Sequence, residues 1–323
     1  MLSESRGNRF FQYLIVLIIA VTINFLLPRL MPGNPLALLA GAEVGLMKPE
    51  ERAEVIKDAG LDQPLWKQYI IYLKHLAQGD FGYSYRQKRP IIDVIKERIP
   101  WSLLIAGGSL AVSAFFGIIL GAISAWNRGK ILDLSMLWGM ITINSLPSFW
   151  IGLVFLTIFA VQMKILPTSG ALSHGLSLTG WAYTWDLIKH AIMPIMTLSL
   201  LSTPTLFMTM RYSMLSVLGE DFIRTARAKG LPERKVLFKH ALRNALCPVA
   251  TILALRLGYI FGGTTVTETV FSYPGMGRLI FEAVSGRDYP VMQAAFLLFT
   301  IAILLANLLA DLVYPLIDPR AKV

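Results

Sequence analysis

The residues best placed to do chemistry in this chain of 323 residues lie in one stretch, EDFIRTARAKGLPERKVLFKHALRNALCP, from Glu220 to Pro248. Glu220, Asp221, Arg224, Arg227, Lys229, Arg234, Lys235, Lys239 and Arg243 crowd together there, although only 15% of the chain is charged. Such side chains suit charge-assisted docking rather than bond making. No H-E-x-x-H or G-x-S-x-G run accompanies them, and His75, His174, His190 and His240 fall in separate segments. Neither a zinc pair nor a hydrolase nucleophile is indicated. No G-x-x-x-x-G-K-[ST] loop is present to cradle nucleotide phosphates. The single Cys247 offers no partner for a disulfide or a metal.

Within this stretch and just before it, Leu215, Leu218, Phe222 and Ala226 recur at helical spacing, which predicts a helix through Ala228. Gly230 suits a left-handed stop, and Pro232 suits the opening of a second helix because its missing donor would be unpaired there anyway. The product is helix, tight turn, helix. A basic amphipathic segment of this kind can lie on anionic lipid. The acids at Glu220 and Asp221 and the glycine hinge fit a rigid lever better, one that carries force from a soluble partner.

The elements that hold this lever are set by composition. The chain is 55% hydrophobic with a mean hydropathy of +0.58, whereas a soluble domain has a charged share of roughly 25%. Windows of about 20 apolar residues predict six membrane spans: Phe10–Leu27, Ser102–Ser124, Ser135–Gln162, Ile192–Met210, Val249–Phe271 and Val291–Leu312. The fold expected is therefore an all-α integral membrane protein. A net charge of +10 and a pI near 9.7 do not indicate nucleic acid, because the excess sits between apolar runs. Arg6 and Arg9 in the tail, Arg128 and Lys130 in the second loop, and the fourth loop (residues 211–248, including Arg211) fall on one side. The positive-inside rule makes that side cytosolic, with both termini on it.

Other signals refine the spans. Ser109, Ser113, Gly117, Gly121 and Ala125 recur every fourth residue and line one face with small side chains; Gly258 and Gly262 repeat the device. Such stripes serve packing within a subunit or contact between subunits. Pro147 predicts a kink in the third span and is a candidate gate. Arg256 is the one ionisable residue placed well inside a span. It marks a translocation pathway, or snorkels to the cytosolic headgroups about two turns away.

The chain divides into a tail and first span (1–32), an extracytoplasmic helical cap (33–100) and a five-helix core (101–323). In the cap, Pro49 with Glu50, Glu51 and Glu54 opens a helix that stops at Gly60. A second helix runs from Pro64 to Gln78, with Leu65, Tyr69, Tyr72, Leu73 and Leu76 on one face. A basic tail, an apolar run and the AGA at Ala40–Ala42 resemble a cleavable signal. The length of the run favours an uncleaved anchor. No fixed-period repeat or low-complexity tract is present.

The sequence resembles the inner-membrane permease subunits of binding-protein-dependent ABC importers, in the oligopeptide, dipeptide and nickel branch. Arg224, Thr225, Ala226 and Gly230 correspond to that family's Glu-Ala-Ala, three residues, Gly pattern, with the first two positions departing from it. RTARAKGL, HALRNAL, PGNP (Pro32–Pro35), GLDQPLWKQY (Gly60–Tyr69), GDFGYSY (Gly79–Tyr85), ETVFSYPGMGRL (Glu268–Leu279), RDYPVMQ (Arg287–Gln293) and DPR (Asp318–Arg320) follow in order. The resemblance implies a type I importer fold in a bacterial or archaeal inner membrane. It also implies that the loop docks, through Glu220, Asp221, Arg224, Thr225, Ala226, Arg227, Lys229 and Gly230, in a groove on a cytosolic ATPase. The chain would then be non-catalytic, with ATP and Mg bound on two ATPase subunits. A second, related permease and an extracytoplasmic substrate-binding protein complete the assembly. Di- and oligopeptides are the expected cargo, with metal chelates, glutathione-like peptides and oligosaccharides as alternatives. An ion-gradient carrier is disfavoured because Glu268 and Asp311 lie near span ends instead of mid-membrane.

Overall fold

Long apolar runs set the architecture, and the helices they form are longer than the spans they contain. The computed structural model describes residues 6–30, 45, 48–58, 62–173, 175, 177–258 and 264–317. AGA, PGNP, DPR, Gly60, Gly262 and His174 lie outside the described residues. Among the described residues the helices are α1 (Arg6–Leu30), α2 (Pro49–Asp58), α3 (Leu65–Ala77), α4 (Ile91–Trp126), α5 (Ile131–Asn144) and α6 (Ser148–Phe155). They continue with α7 (Gly180–Leu218), α8 (Asp221–Ala228), α9 (Glu233–Lys235), α10 (Leu242–Gly258), α11 (Thr265–Val270), α12 (Met276–Ser285) and α13 (Tyr289–Ile317). Wider π-helical turns at Leu156–Gln162 and Val236–Ala241 extend α6 and join α9 to α10.

Among the described residues, three helices are long and apolar enough to cross a membrane: Ile91–Trp126, Gly180–Leu218 and Tyr289–Leu308. With 36 and 39 residues, α4 and α7 measure roughly 54 and 58 Å, against a hydrocarbon core of about 30 Å. Both must project from the bilayer. The third expected span, Ser135–Gln162, is not one rod: α5 and α6 meet at 99°. Pro147 adopts an extended conformation (φ −64°, ψ 141°) and begins α6. The proline therefore breaks the helix outright, where a kink was expected. The apolar part of α1, Phe11–Leu26, is shorter. The fifth expected span, Val249–Phe271, is described only at its two ends, in α10 and α11. These helices are consistent with six crossings.

The chain packs as two compact units, residues 1–102 with 274–304 and residues 103–273 with 305–323. In the first, Phe25 of α1 packs edge-to-face on Tyr69 and tilted against Tyr72 of α3, with ring centroids 5.0 and 5.5 Å away. Leu65 and Leu73, expected on the same face, are instead exposed. The all-helical expectation also missed a small antiparallel hairpin, β1 (Tyr83–Ser84) with β2 (Arg89–Pro90). Side chains far apart in sequence fasten this unit. Asn24 Nδ2 donates to the Gln293 carbonyl at 2.9 Å and Gln293 Nε2 to the Asn24 carbonyl at 2.6 Å. Buried Ser84 Oγ donates to Asp288 at 2.6 Å, and the Met276 amide to Ser102 Oγ at 2.8 Å. GDFGYSY and RDYPVMQ thus meet as a structural fastener. Asp288→Ala removes the acceptor from a buried hydroxyl, and a loss of about 1–3 kcal/mol is expected. Faster amide hydrogen exchange across Tyr83–Ile95 would register it; unchanged protection would show that the contact adds little.

In the second unit the small-residue stripe packs inside the chain. Ser109, Ser113, Gly117, Gly121 and Ala125 are all buried. A Cβ at Gly117 would lie 2.6 Å from Leu206 Cβ, and one at Gly121 would lie 2.7 Å from the Phe207 carbonyl oxygen. Backbones of α4 and α7 touch there, which only glycine permits.

Candidate functional site

The charged stretch begins where α7 ends. The helix does not run unbroken to Ala228: Leu218 is its last residue, and Glu220 is extended (φ −72°, ψ 151°). The Glu220 carbonyl then accepts the first bond of α8, from the Ile223 amide at 3.1 Å. Asp221 in the first turn complements the positive end of the helix dipole. The break changes which face is buried. Ile223 and Ala226 go inward, against Met210, Met214, Val236, Ala241 and Ala245, while Phe222 is 43% exposed. Arg224, Thr225 and Lys229 share that outer surface.

Gly230 stops α8 with φ +72°. Its amide bonds to the Arg227 carbonyl at 2.9 Å and the Leu231 amide to the Ala226 carbonyl at 3.4 Å, which closes the turn. Pro232 sits one position earlier than expected, as the extended residue before α9 (φ −63°, ψ 141°). Its carbonyl accepts from Lys235 at 2.8 Å and Val236 at 3.1 Å. Arg227 spans the turn to Glu233, Nε to Oε1 at 3.0 Å. Ser213 Oγ donates to the Ala245 carbonyl at 2.8 Å and joins α7 to α10. The hairpin is therefore a rigid bracket. Its outer surface offers two exposed rings, Phe222 and Phe238, the second 58% exposed, beside lysine and arginine side chains.

One further group was not legible in the sequence. Asp133, in the first turn of α5, is 1% exposed. Arg211 on α7 forks onto it, Nε to Oδ1 at 2.8 Å and Nη2 to Oδ2 at 2.9 Å. Ser124 Oγ donates to Oδ1, and the Gly129 amide donates to Oδ2 at 3.0 Å. Four donors saturate the carboxylate, which makes a buried charge tolerable.

The structure does not bring Pro147 or Arg256 to this bracket. Pro147 is exposed at the α5–α6 break, and Arg256 is half-buried in the last turn of α10. From Leu242 to Arg256 is 14 residues, roughly 21 Å along the helix axis. No group of three or more His, Cys, Asp or Glu is placed to hold a metal ion among the described residues.

Comparison with known proteins accounts for nearly the whole chain. Residues 117–323 match the family described as "Binding-protein-dependent transport system inner membrane component". Residues 7–106 match its amino-terminal counterpart. The chain is 36% identical to the dipeptide transport system permease protein DppB of Escherichia coli K12 over 317 residues, 93% of each chain. It is 39% identical to DppB of Alkalihalophilus pseudofirmus over 330 residues, 96% of each. The glutathione transport system permease protein GsiC of Escherichia coli K12 is 37% identical over 310 residues, covering 95% of this chain and 94% of that one. In fold, the chain is similar to a chain of the inward-facing MetNI methionine ABC transporter, with TM-score 0.52 and 17% identity, covering 67% of this chain and 94% of that one.

Proposed function

The chain belongs to the family of binding-protein-dependent transport system inner membrane components, and we propose that it is the peptide-conducting half of an ATP-driven importer. Its fold is that of a type I ABC importer permease, and it is a multi-pass inner-membrane protein. The observation that carries the cargo assignment is 39% identity along 96% of the chain to a dipeptide permease. A glutathione permease at 37% identity supports a second reading, in which the cargo is a modified tripeptide.

In this reading the Gly230 hairpin is the cytosolic grip. Its chain neighbours α7 and α10 carry any displacement of α8 into the membrane. Exposed Phe222 and Phe238 supply apolar anchors for a groove on the ATPase, and Arg224 and Lys229 a cationic rim, an arrangement suited to an interface with a hydrophobic centre and polar edge. Glu220 and Asp221 shape the start of α8, which removes the need for a carboxylate at position 224. The basic loops support a cytosolic position for both termini and an outer position for the α2–α3 cap, where a binding protein delivers cargo. A second permease, related but different, supplies the second docking hairpin for a two-subunit ATPase. That ATPase holds ATP and Mg. Pro147 and Arg256 are candidates for the gate and the pathway.

The test combines retention and transport. Arg224→Glu reverses an exposed charge whose partner in this chain, Asp221, lies at 3.2 Å on the surface, so folding is unaffected. ATPase co-purification is expected to fall about tenfold, because reversing a rim charge turns attraction into repulsion and slows association. ATP-dependent dipeptide uptake in proteoliposomes falls with it. Arg227→Glu also breaks the turn pair, so it is paired with Glu233→Arg to restore it. Full retention in both backgrounds would place the ATPase contact elsewhere. Uptake of glutathione in preference to dipeptides would favour the second reading.

A further inference from the structure

The fork between Asp133 and Arg211 sits on the line along which the hairpin would act. Arg211 lies on α7 seven residues before its end at Leu218, roughly 10 Å along the axis. Asp133 lies in the first turn of α5, which packs on α7 but turns much of its apolar surface outward. Only Asp133 and Met140 are buried among its residues; Ile131, Leu134, Trp138 and Ile141 are 86%, 49%, 69% and 47% exposed. At its far end α5 breaks by 99° into α6, whose Gly152 packs against Val270 and Phe271.

A buried ion pair contributes little net stability compared with apolar side chains of the same volume. What it does supply is direction. Two parallel N–H···O bonds fix rotation as well as distance, and the Ser124 and Gly129 donors tie the same carboxylate to the end of α4 and the following turn. The apolar packing of α5 on α7 is non-directional and fixes neither so sharply.

We propose that Asp133 is a positioning residue for coupling: through Arg211 it obliges α5 to move with the α7 stalk that carries the docking hairpin. Displacement of α8 by the ATPase is thereby delivered to the broken helix α5–α6. This inference rests on the reading of α8 as the ATPase grip.

The experiment uses the complete importer in lipid nanodiscs, with four measurements: thermal unfolding, ATPase retention, ATP hydrolysis, and dipeptide imported per ATP hydrolysed. Asp133→Asn leaves Arg211 charged and half-paired and can misfold, so the main variant is the double substitution Asp133→Leu/Arg211→Met, which removes both charges at similar volume. ATPase retention is expected to stay at the wild-type level and the melting temperature to fall only modestly, because the buried Ser124 hydroxyl loses its acceptor, while peptide imported per ATP falls about tenfold. Arg211→Lys, which keeps the charge but loses the fork, is expected to fall between. In a Cys247→Ser background, spin labels at exposed Leu134 and Tyr212 should keep one distance with and without ATP in the otherwise wild-type chain. That distance should spread in the double variant. An unchanged import ratio in the double variant, or a wild-type label distance that changes with nucleotide, would overturn the proposal. Loss of the ATP response in the wild-type importer itself would instead sink the reading of α8.

Discussion

Gly121→Leu is expected to separate α4 from α7 and to destabilise the membrane core by about 3 kcal/mol, at the upper end of the cost of overpacking. The reason is what a side chain would strike. A Cβ at this position would lie 2.7 Å from the Phe207 carbonyl oxygen, 2.8 Å from Met210 Cβ and 3.2 Å from the Arg211 amide nitrogen. Two of these are backbone atoms of a helix, which cannot rotate aside as a side-chain tip can. The whole of α7 must shift, and Arg211 shifts with it. Gly107 is the control: it lies on the same helix, and a Cβ there meets nothing within 4 Å. Gly107→Leu adds the same volume and should be close to neutral. Half-buried Cys247 is the chain's sole cysteine, so a thiol-reactive dye reports unfolding of this unit directly. Equal melting temperatures for the two leucine variants would mean that α4 and α7 do not approach so closely in the membrane.

That contrast between two glycines on one helix shows where sequence reading succeeds and where it stops. The four-residue spacing of Ser109, Ser113, Gly117 and Gly121 was legible because a helix repeats every 3.6 residues, and a stripe is a local property. Its partner was not legible, since nothing local says whether a smooth face meets α7 or another subunit. The hairpin at Gly230 was legible for the same local reason. Its backbone there needs positive φ, and glycine supplies it without strain.

The break at Gly219 and Glu220 was hidden. Leu215, Leu218, Phe222 and Ala226 continue one helical period across it, and only the three-dimensional chain shows Ile223 turned inward in place of Phe222. Pro147 announced a disturbance but not its size, because the angle is set by what α6 packs against. The Asp133–Arg211 fork joins residues 78 apart. Its one signal in the sequence is an acid inside the apolar run KILDLSMLW, and an acid alone does not name its partner. The same holds for Asn24 with Gln293 and for Ser84 with Asp288, the latter joining two motifs, GDFGYSY and RDYPVMQ, that become a contact only once the chain is folded.

The hairpin yields the sharpest functional prediction, because at Gly230 conformation can be separated from crowding. A Cβ there meets nothing within 4 Å, so any penalty comes from the backbone at φ +72°. Asparagine tolerates the left-handed region, alanine pays roughly 1 kcal/mol, and a β-branched residue about 2 kcal/mol or more. Import should therefore rank as wild type, then Gly230→Asn, Gly230→Ala and Gly230→Val, with the valine variant reduced about tenfold or more, following the strain. Ile223 and Ala226 still bury in all four chains, so expression and membrane insertion should be level. If α8 merely floated on lipid, the turn angle would be irrelevant, and the series would be flat. If instead Gly230 were needed for space, asparagine would fare worse than alanine, because its side chain is the larger. Only a turn that must aim α8 at a partner predicts that asparagine is spared while valine is not.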